Sequence, residues 1–184
     1  YYGQSTSRRT VTVALIDTGV DITHSDLAGS IWVNEDEIAG DGIDNDGNGY
    51  IDDVNGWNFY SNNNQVFAGD EDDHGTHGAG TIAGAWNGQG ITGIADGNYV
   101  KIMVLKALGS ENGQGMAQSV KDAIRYAQAN GADICNLSMG TSSYDPEMEA
   151  LMQNSSMLFV VSAGNGDNWG RGYNIAYWPV YPAA

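Results

Sequence analysis

Two stretches of this chain carry residue types and spacings that could do chemistry. The first is Asp70-Glu71-Asp72-Asp73-His74-Gly75-Thr76-His77-Gly78-Ala79-Gly80-Thr81-Ile82-Ala83-Gly84, where a histidine meets the small residues that open a tightly packed helix. An imidazole titrates near neutrality and either ring nitrogen can bond, so a histidine at a glycine-flanked helix start is suited to proton transfer. His74 is therefore the candidate general base. A zinc pair with His77 is the competing reading, but the spacing is three, and the zinc-protease signature needs two histidines four apart with a glutamate between them. A purely structural histidine is the other alternative.

The second stretch is Asp44-Asn45-Asp46-Gly47-Asn48-Gly49-Tyr50-Ile51-Asp52-Asp53-Val54-Asn55. It follows the twelve-position calcium loop: Asp44, Asp46, Asn48 and Asp52 stand at positions one, three, five and nine. Glycine stands at six, Tyr50 offers its carbonyl at seven, and an apolar residue fills eight. Asn55 occupies position twelve, where a bidentate glutamate is usual, so the site is one strong ligand short unless Asp53 or Asp41 turns inward. A solvated acidic loop without an ion is the alternative.

The elements that would position these groups are legible as alternating patterns. Val11 to Ile16 is a short β-branched run that reads as a buried strand ending at Asp17-Thr18-Gly19. In doubly wound sheets chemistry gathers at the carboxyl ends of strands, which is where Asp17 falls, although an Asp before Thr-Gly is also a common turn former. Further strands are expected over 100–105, 133–138 and 157–162. Met116, Val120, Ala123, Ile124 and Ala127 recur at helical spacing within 115–131, with Asn130-Gly131 as a stop, and a short helix is expected over 146–153. Strands alternating with helices predict an α/β fold: a doubly wound parallel sheet with flanking helices.

Composition narrows the partners. The 184 residues suffice for one domain with a sizeable core, and no apolar run approaches the roughly 18 residues of a membrane span. Of the 23 acidic residues behind a net charge of −16, twelve lie between Glu35 and Asp73, with no Lys or Arg among them. Nucleic acid is thus an unsuitable partner, because phosphate binding needs a basic stripe, and such acid density points to bound cations. Cys135, the single cysteine, sits in an apolar run and reads as a small buried hydrophobe.

Three segments now stand at element ends: Val13-Ala14-Leu15-Ile16-Asp17-Thr18-Gly19-Val20, His74-Gly75-Thr76-His77-Gly78-Ala79-Gly80-Thr81, and Val160-Val161-Ser162-Ala163-Gly164-Asn165. In type and order they resemble the aspartate, histidine and oxyanion segments of the subtilisin-like serine proteases, the subtilases, and the likeness runs from Val11 to the end. The resemblance implies serine-type endopeptidase activity on peptide or protein substrates. Asp17 would orient His74, and Asn165 would donate to the oxyanion, roles worked out on a subtilisin.

The family's serine lies downstream, in Gly-Thr-Ser-Met-Ala. Gly140-Thr141-Ser142 imitates its start, but precedes Asn165 and continues as Ser143-Tyr144, so Ser142 is not assigned as nucleophile. The expectation is that residues 1–184 are the N-terminal portion of a single catalytic domain, inactive without the C-terminal remainder carrying the serine. A non-catalytic calcium-binding structural or interaction domain on the same fold is the alternative.

The resemblance also implies a substrate groove lined by Gly113, Gln114, Gly115, Ser138, Met139 and Gly140, which would pair with an extended peptide, and a specificity pocket including Ser162, Ala163 and Gly164. A second calcium site would take side-chain oxygens from Asp26 and Asn87 and carbonyls from Ala85, Gln89 and Ile91, against an ordinary Asn-Gly turn as the plain reading. An inhibitory propeptide and a secreted or cell-surface location are further implications of the family.

Overall fold

In a computed structural model, which describes residues 9–109, 115–140 and 144–166, the chain is built on strand β1, Val11–Asp17. Its side chains alternate between faces, as a pleated strand requires. Val13 and Leu15 enter one buried cluster, and Ala14 and Ile16 enter the other. A strand buried on both faces needs layers on each side, and the helices supply them.

The remaining strands are β2 (Gly56–Asn58), β3 (Val100–Lys106), β4 (Ile134–Leu137) and β5 (Leu158–Val161). All neighbours are parallel, in the order β2-β3-β1-β4-β5. The chain runs to one side of β1 and then returns to the other, so the order reverses beside the end of β1, the place where α/β sheets bind ligands. Helix α1 (Asp73–Ala83) covers one face, with Ala79 and Ala83 packed on Leu15, Ile102 and Val104. Helices α2 (Ala117–Ala129) and α3 (Pro146–Gln153) cover the other, where Val120, Ala123, Ile124 and Ala127 meet Ala14, Ile16, Met103 and Leu105. The doubly wound α/β architecture is as expected.

Two differences from the sequence reading have physical causes. Strand β2 has no apolar run to announce it; Gly56 lies at φ +121 with its backbone so close to β3 that an added Cβ would meet the Val104 carbonyl oxygen at 1.9 Å. Only glycine fits such an approach. Helix α2 starts two residues later than its pattern, because Met116 is extended (φ −85, ψ 142). Cys135 is fully buried in the core, and burial pushes its thiol up to about 12.

Candidate active site and acidic loops

Asp17 closes β1 and is 1% exposed, whereas the His74 side chain, in the first turn of α1, is 58% exposed. Their contact is short: His74 Nδ1 lies 2.7 Å from Asp17 Oδ1. An ionised carboxylate only accepts, so this contact calls for a proton on Nδ1, and in the neutral ring Nε2 then keeps its lone pair. The pair thus consists of a water-excluded carboxylate against a solvent-exposed imidazole, an arrangement that can serve as an oriented base.

Local sequence explains how the two groups meet. The Thr18 amide donates to Asp17 Oδ1 at 2.7 Å, and Thr18 Oγ1 accepts the Gly75 amide at 3.1 Å, tying the strand end to the helix that carries His74. Gly75 is required there, since a Cβ would lie 2.1 Å from the Gly19 carbonyl oxygen. Asp17 Oδ2 is buried without a hydrogen-bond partner among the described residues.

Asn165 lies beyond the end of β5, exposed, on the same carboxyl edge of the parallel sheet as Asp17. Ser138, Met139 and Gly140 follow β4 on that edge, and Ser162, Ala163 and Gly164 follow β5. The Ser162 hydroxyl donates to the Met139 carbonyl at 3.1 Å, joining the two segments, and Ser138 accepts from the Asn136 amide at 3.0 Å. Gly115 lies against the Ala107 carbonyl. Gly113, Gln114 and Ser142 lie outside the described residues.

Around the calcium-like loop, Asp46 is the one carboxylate of the twelve-position pattern in the cluster that converges, and Asp53 turns inward beside it. Glu37, Asp46 and Asp53 each bring a ligand atom to within 4.8 Å of the others. Asp52, at φ +56, turns its carboxylate to the amides of Gly40 (2.7 Å), Asp41 (3.2 Å) and Gly42 (3.1 Å) instead. Asp44 caps its own loop through the amides of Asn48 and Gly49, the Gly49 bond foremost in holding its carboxyl below the usual range. The Asn48 side-chain amide donates to Asp46 and to Asp53, both at 2.9 Å, and its oxygen accepts the Tyr50 amide.

Asp53 is fully buried and accepts from Asn34 (3.1 Å), Asn48 and the Tyr126 hydroxyl. Burial, and then the bond to Asp53, drives the Tyr126 phenol far above its ordinary value. Tyr126 also packs edge-on with Tyr50 and Phe59, so the acidic loop is anchored in the α2 face of the core. Glu37 accepts the amides of Asn45, Asp46 and Asp52. Sequence spacing could not single out Glu37, Asn34 or Tyr126, because 9 to 73 positions separate each from its partners among Asp46, Asp52 and Asp53. Acid density was the available signal for Glu37.

At the second loop, Asp26 is buried and accepts from Asn87 Nδ2 (3.2 Å) and the Ile91 amide (3.3 Å), while the Ala85 amide donates to its carbonyl. Asn87 Oδ1 accepts the Gln89 amide. Asp26 is thus brought against the 85–91 loop, facing the nitrogen of the Asn87 amide.

Comparison with known proteins identifies the pattern. The model of the Subtilase family matches residues 8–182. The major intracellular serine protease of Bacillus subtilis is 32% identical over 177 residues, which is 94% of this chain and 49% of that protein. Subtilisin-like protease 1 of Plasmodium berghei is also 32% identical, over 86% of this chain and 26% of its own length. Among solved structures, fervidolysin from Fervidobacterium pennivorans, a keratinolytic enzyme related to subtilisin, superposes with a TM-score of 0.64 at 29% identity, covering 86% of this chain and 22% of that one. This chain therefore spans half or less of the length of these relatives.

Proposed function

This chain belongs to the subtilase family, and on that premise we propose that residues 1–184 are the N-terminal portion of the catalytic domain of a calcium-stabilised serine endopeptidase. The observation that carries the reading is the 2.7 Å contact between buried Asp17 and exposed His74 at the carboxyl edge of the sheet. In the complete enzyme His74 Nε2 takes the proton of the attacking serine, which the C-terminal remainder supplies. Asp17 stabilises the imidazolium that forms, and the proton passes to the leaving amine. The Asn165 amide donates to the oxyanion of the tetrahedral intermediate.

Substrate lies extended along the edge lined by Gly113, Gly115, Ser138, Met139 and Gly140, with Ser162, Ala163 and Gly164 at the specificity pocket. Backbone pairing of this kind suits a peptide of relaxed sequence. An inhibitory propeptide would occupy the same groove. Export to the cell exterior or its surface is the compartment under this reading. Among the described residues no helix is long and apolar enough to cross a membrane.

Calcium fits the donor set. Three carboxylates held within 4.8 Å repel one another, and a hard divalent cation with oxygen ligands removes that repulsion. Glu37, Asp46 and Asp53 would hold it, with Asp44, Asn48, Tyr50 and Asp52 shaping the loop. Asp26, Asn87 and the carbonyls of Ala85, Gln89 and Ile91 would hold a second ion. Bound calcium supplies charge neutralisation and rigidity here and takes no part in bond cleavage.

The test is labelling of the complete protein with a serine-directed fluorophosphonate. Labelling of the wild type, lost in His74→Ala, is the expected result. Undiminished labelling of His74→Ala refutes the mechanism, and an unlabelled wild type favours the non-catalytic calcium-binding domain.

A further inference from the structure

Behind the Asp17–His74 couple lies a second, wholly buried ion pair that the reaction scheme does not use. Lys106 is 2% exposed and Asp72 fully buried, with Lys106 Nζ 2.7 Å from Asp72 Oδ1. Lys106 is the register partner of Asp17 on the adjacent strand. Its ammonium also donates to the Thr18 carbonyl and, at 3.4 Å, to the Leu108 carbonyl. Asp72 immediately precedes α1; its Oδ2 accepts the Ala68 amide at 2.7 Å, and a Cβ on Gly19 would strike that oxygen at 2.6 Å. Asp72 does not cap α1 with its side chain, although it occupies the capping position. Its carboxylate is directed inward to the lysine.

We propose that Lys106 and Asp72 are positioning residues for the Asp17–His74 couple, an inference that rests on the endopeptidase reading for its kinetic consequence. Lys106 grips Thr18 from its carbonyl side. The Thr18 amide and hydroxyl are the groups that contact Asp17 Oδ1 and the Gly75 amide. Asp72 holds the same ammonium from the start of α1, two residues before His74. The two backbones carrying the couple are therefore clamped through one buried cation. That matters because the direct restraints on the Asp17 carboxylate all fall on Oδ1, with Oδ2 unpartnered among the described residues. Breaking a buried pair by removing one partner is strongly destabilising, whereas removing both charges is often tolerated. A charged clamp in the core, beside a site that needs sub-ångström placement, is thus better explained by positioning than by stability alone.

The experiment uses the complete protein with Lys106→Met/Asp72→Asn, which removes both charges and keeps an oxygen for the Ala68 amide. Asp72→Glu, which keeps both charges and shifts the carboxylate by one methylene, serves should the double variant not fold. Active sites are counted by fluorophosphonate titration, and 15N NMR reads the His74 tautomer. The expected result is a kcat per titrated site at least tenfold lower with KM changed less than twofold, together with an imidazole signal that moves from a single Nδ1-protonated form to a tautomer mixture. A lower melting temperature with either kcat or the tautomer signal at its wild-type value overturns the proposal and leaves the pair a structural one. Should the wild type fail to label, the endopeptidase reading falls, and the tautomer measurement alone decides whether the clamp positions His74.

Discussion

Replacing Tyr126 with phenylalanine removes one hydroxyl from the seam between the acidic loop and the core, and its cost can be worked from the structure. Tyr126 is 3% exposed and donates to Asp53, which is fully buried. A hydrogen bond to a charged group contributes about 1.5–3 kcal/mol. The low end applies, because Asn48 still donates to the same oxygen and Asn34 to the other, so Asp53 is not orphaned. The expected loss at pH 8 is about 1.5 kcal/mol, or about 3–6 °C in melting temperature for a chain of this size.

The phenol's shift adds a pH signature. Its folded value is raised above the ordinary 10.0, by burial first and then by the bond to Asp53, so the folded state holds a proton that the unfolded state releases. Tyr126 therefore stabilises fully below pH 10, and this contribution declines as pH rises, by about 1.4 kcal/mol between pH 8 and pH 11. The phenyl ring of the variant has nothing to titrate, and other groups titrate in both proteins. The gap between wild type and Tyr126→Phe should thus shrink from about 1.5 kcal/mol to near zero by pH 11. Thermal melts followed by circular dichroism at pH 8, 10 and 11 measure it. A gap that stays constant with pH, or a variant as stable as wild type at pH 8, refutes the reasoning.

Asp17→Asn in the complete enzyme should lower kcat by roughly 10⁴-fold with little change in KM, the size of loss known when a triad aspartate is replaced; a loss below tenfold in steady-state peptide hydrolysis contradicts the assigned role. Asn165→Ala should cost about 3–4 kcal/mol in the barrier, as for the oxyanion asparagine of a subtilisin, and a full-rate variant removes that residue from the site. Chelation should lower the melting temperature, by about 2.7 kcal/mol of stability if calcium had stood at 100 times its Kd. Glu37→Gln should blunt that shift, and an unchanged melt of the wild type eliminates both proposed ions. Cleavage of basic peptides should slow with rising ionic strength more than cleavage of acidic ones, and identical salt responses show that the exposed Asp70 and Asp73 do not steer substrate.

Much of the architecture was legible because periodicity encodes it directly. The alternation through Val13, Ala14, Leu15 and Ile16, buried on both faces, can only be a central strand of a two-sided sheet. The stretch Pro146–Gln153 became a helix with the bounds its pattern predicts, begun by an Asp145 side chain that accepts the Glu147 and Met148 amides. Strand β2 was illegible, since three residues with a glycine at their head carry no period and owe their conformation to contact with β3. The buried charges were misleading in the same way. In sequence Asp72 is one acid in a run of four with nothing to mark it as buried, and only the fold sets Lys106 against it.

The residue types that can do the chemistry, and the elements whose ends carry them, were determined by the linear order of this chain, because hydrophobic period and local backbone preference are short-range properties. Which carboxylates converge was decided only in three dimensions. Asp52 and Asp53 are neighbours in sequence, yet a left-handed backbone at Asp52 sends one to the loop amides and the other to Glu37, Asp46 and Tyr126. Carboxylate pairing depends on long-range approach and on which oxygen finds a donor first, and no spacing rule along the chain contains that information.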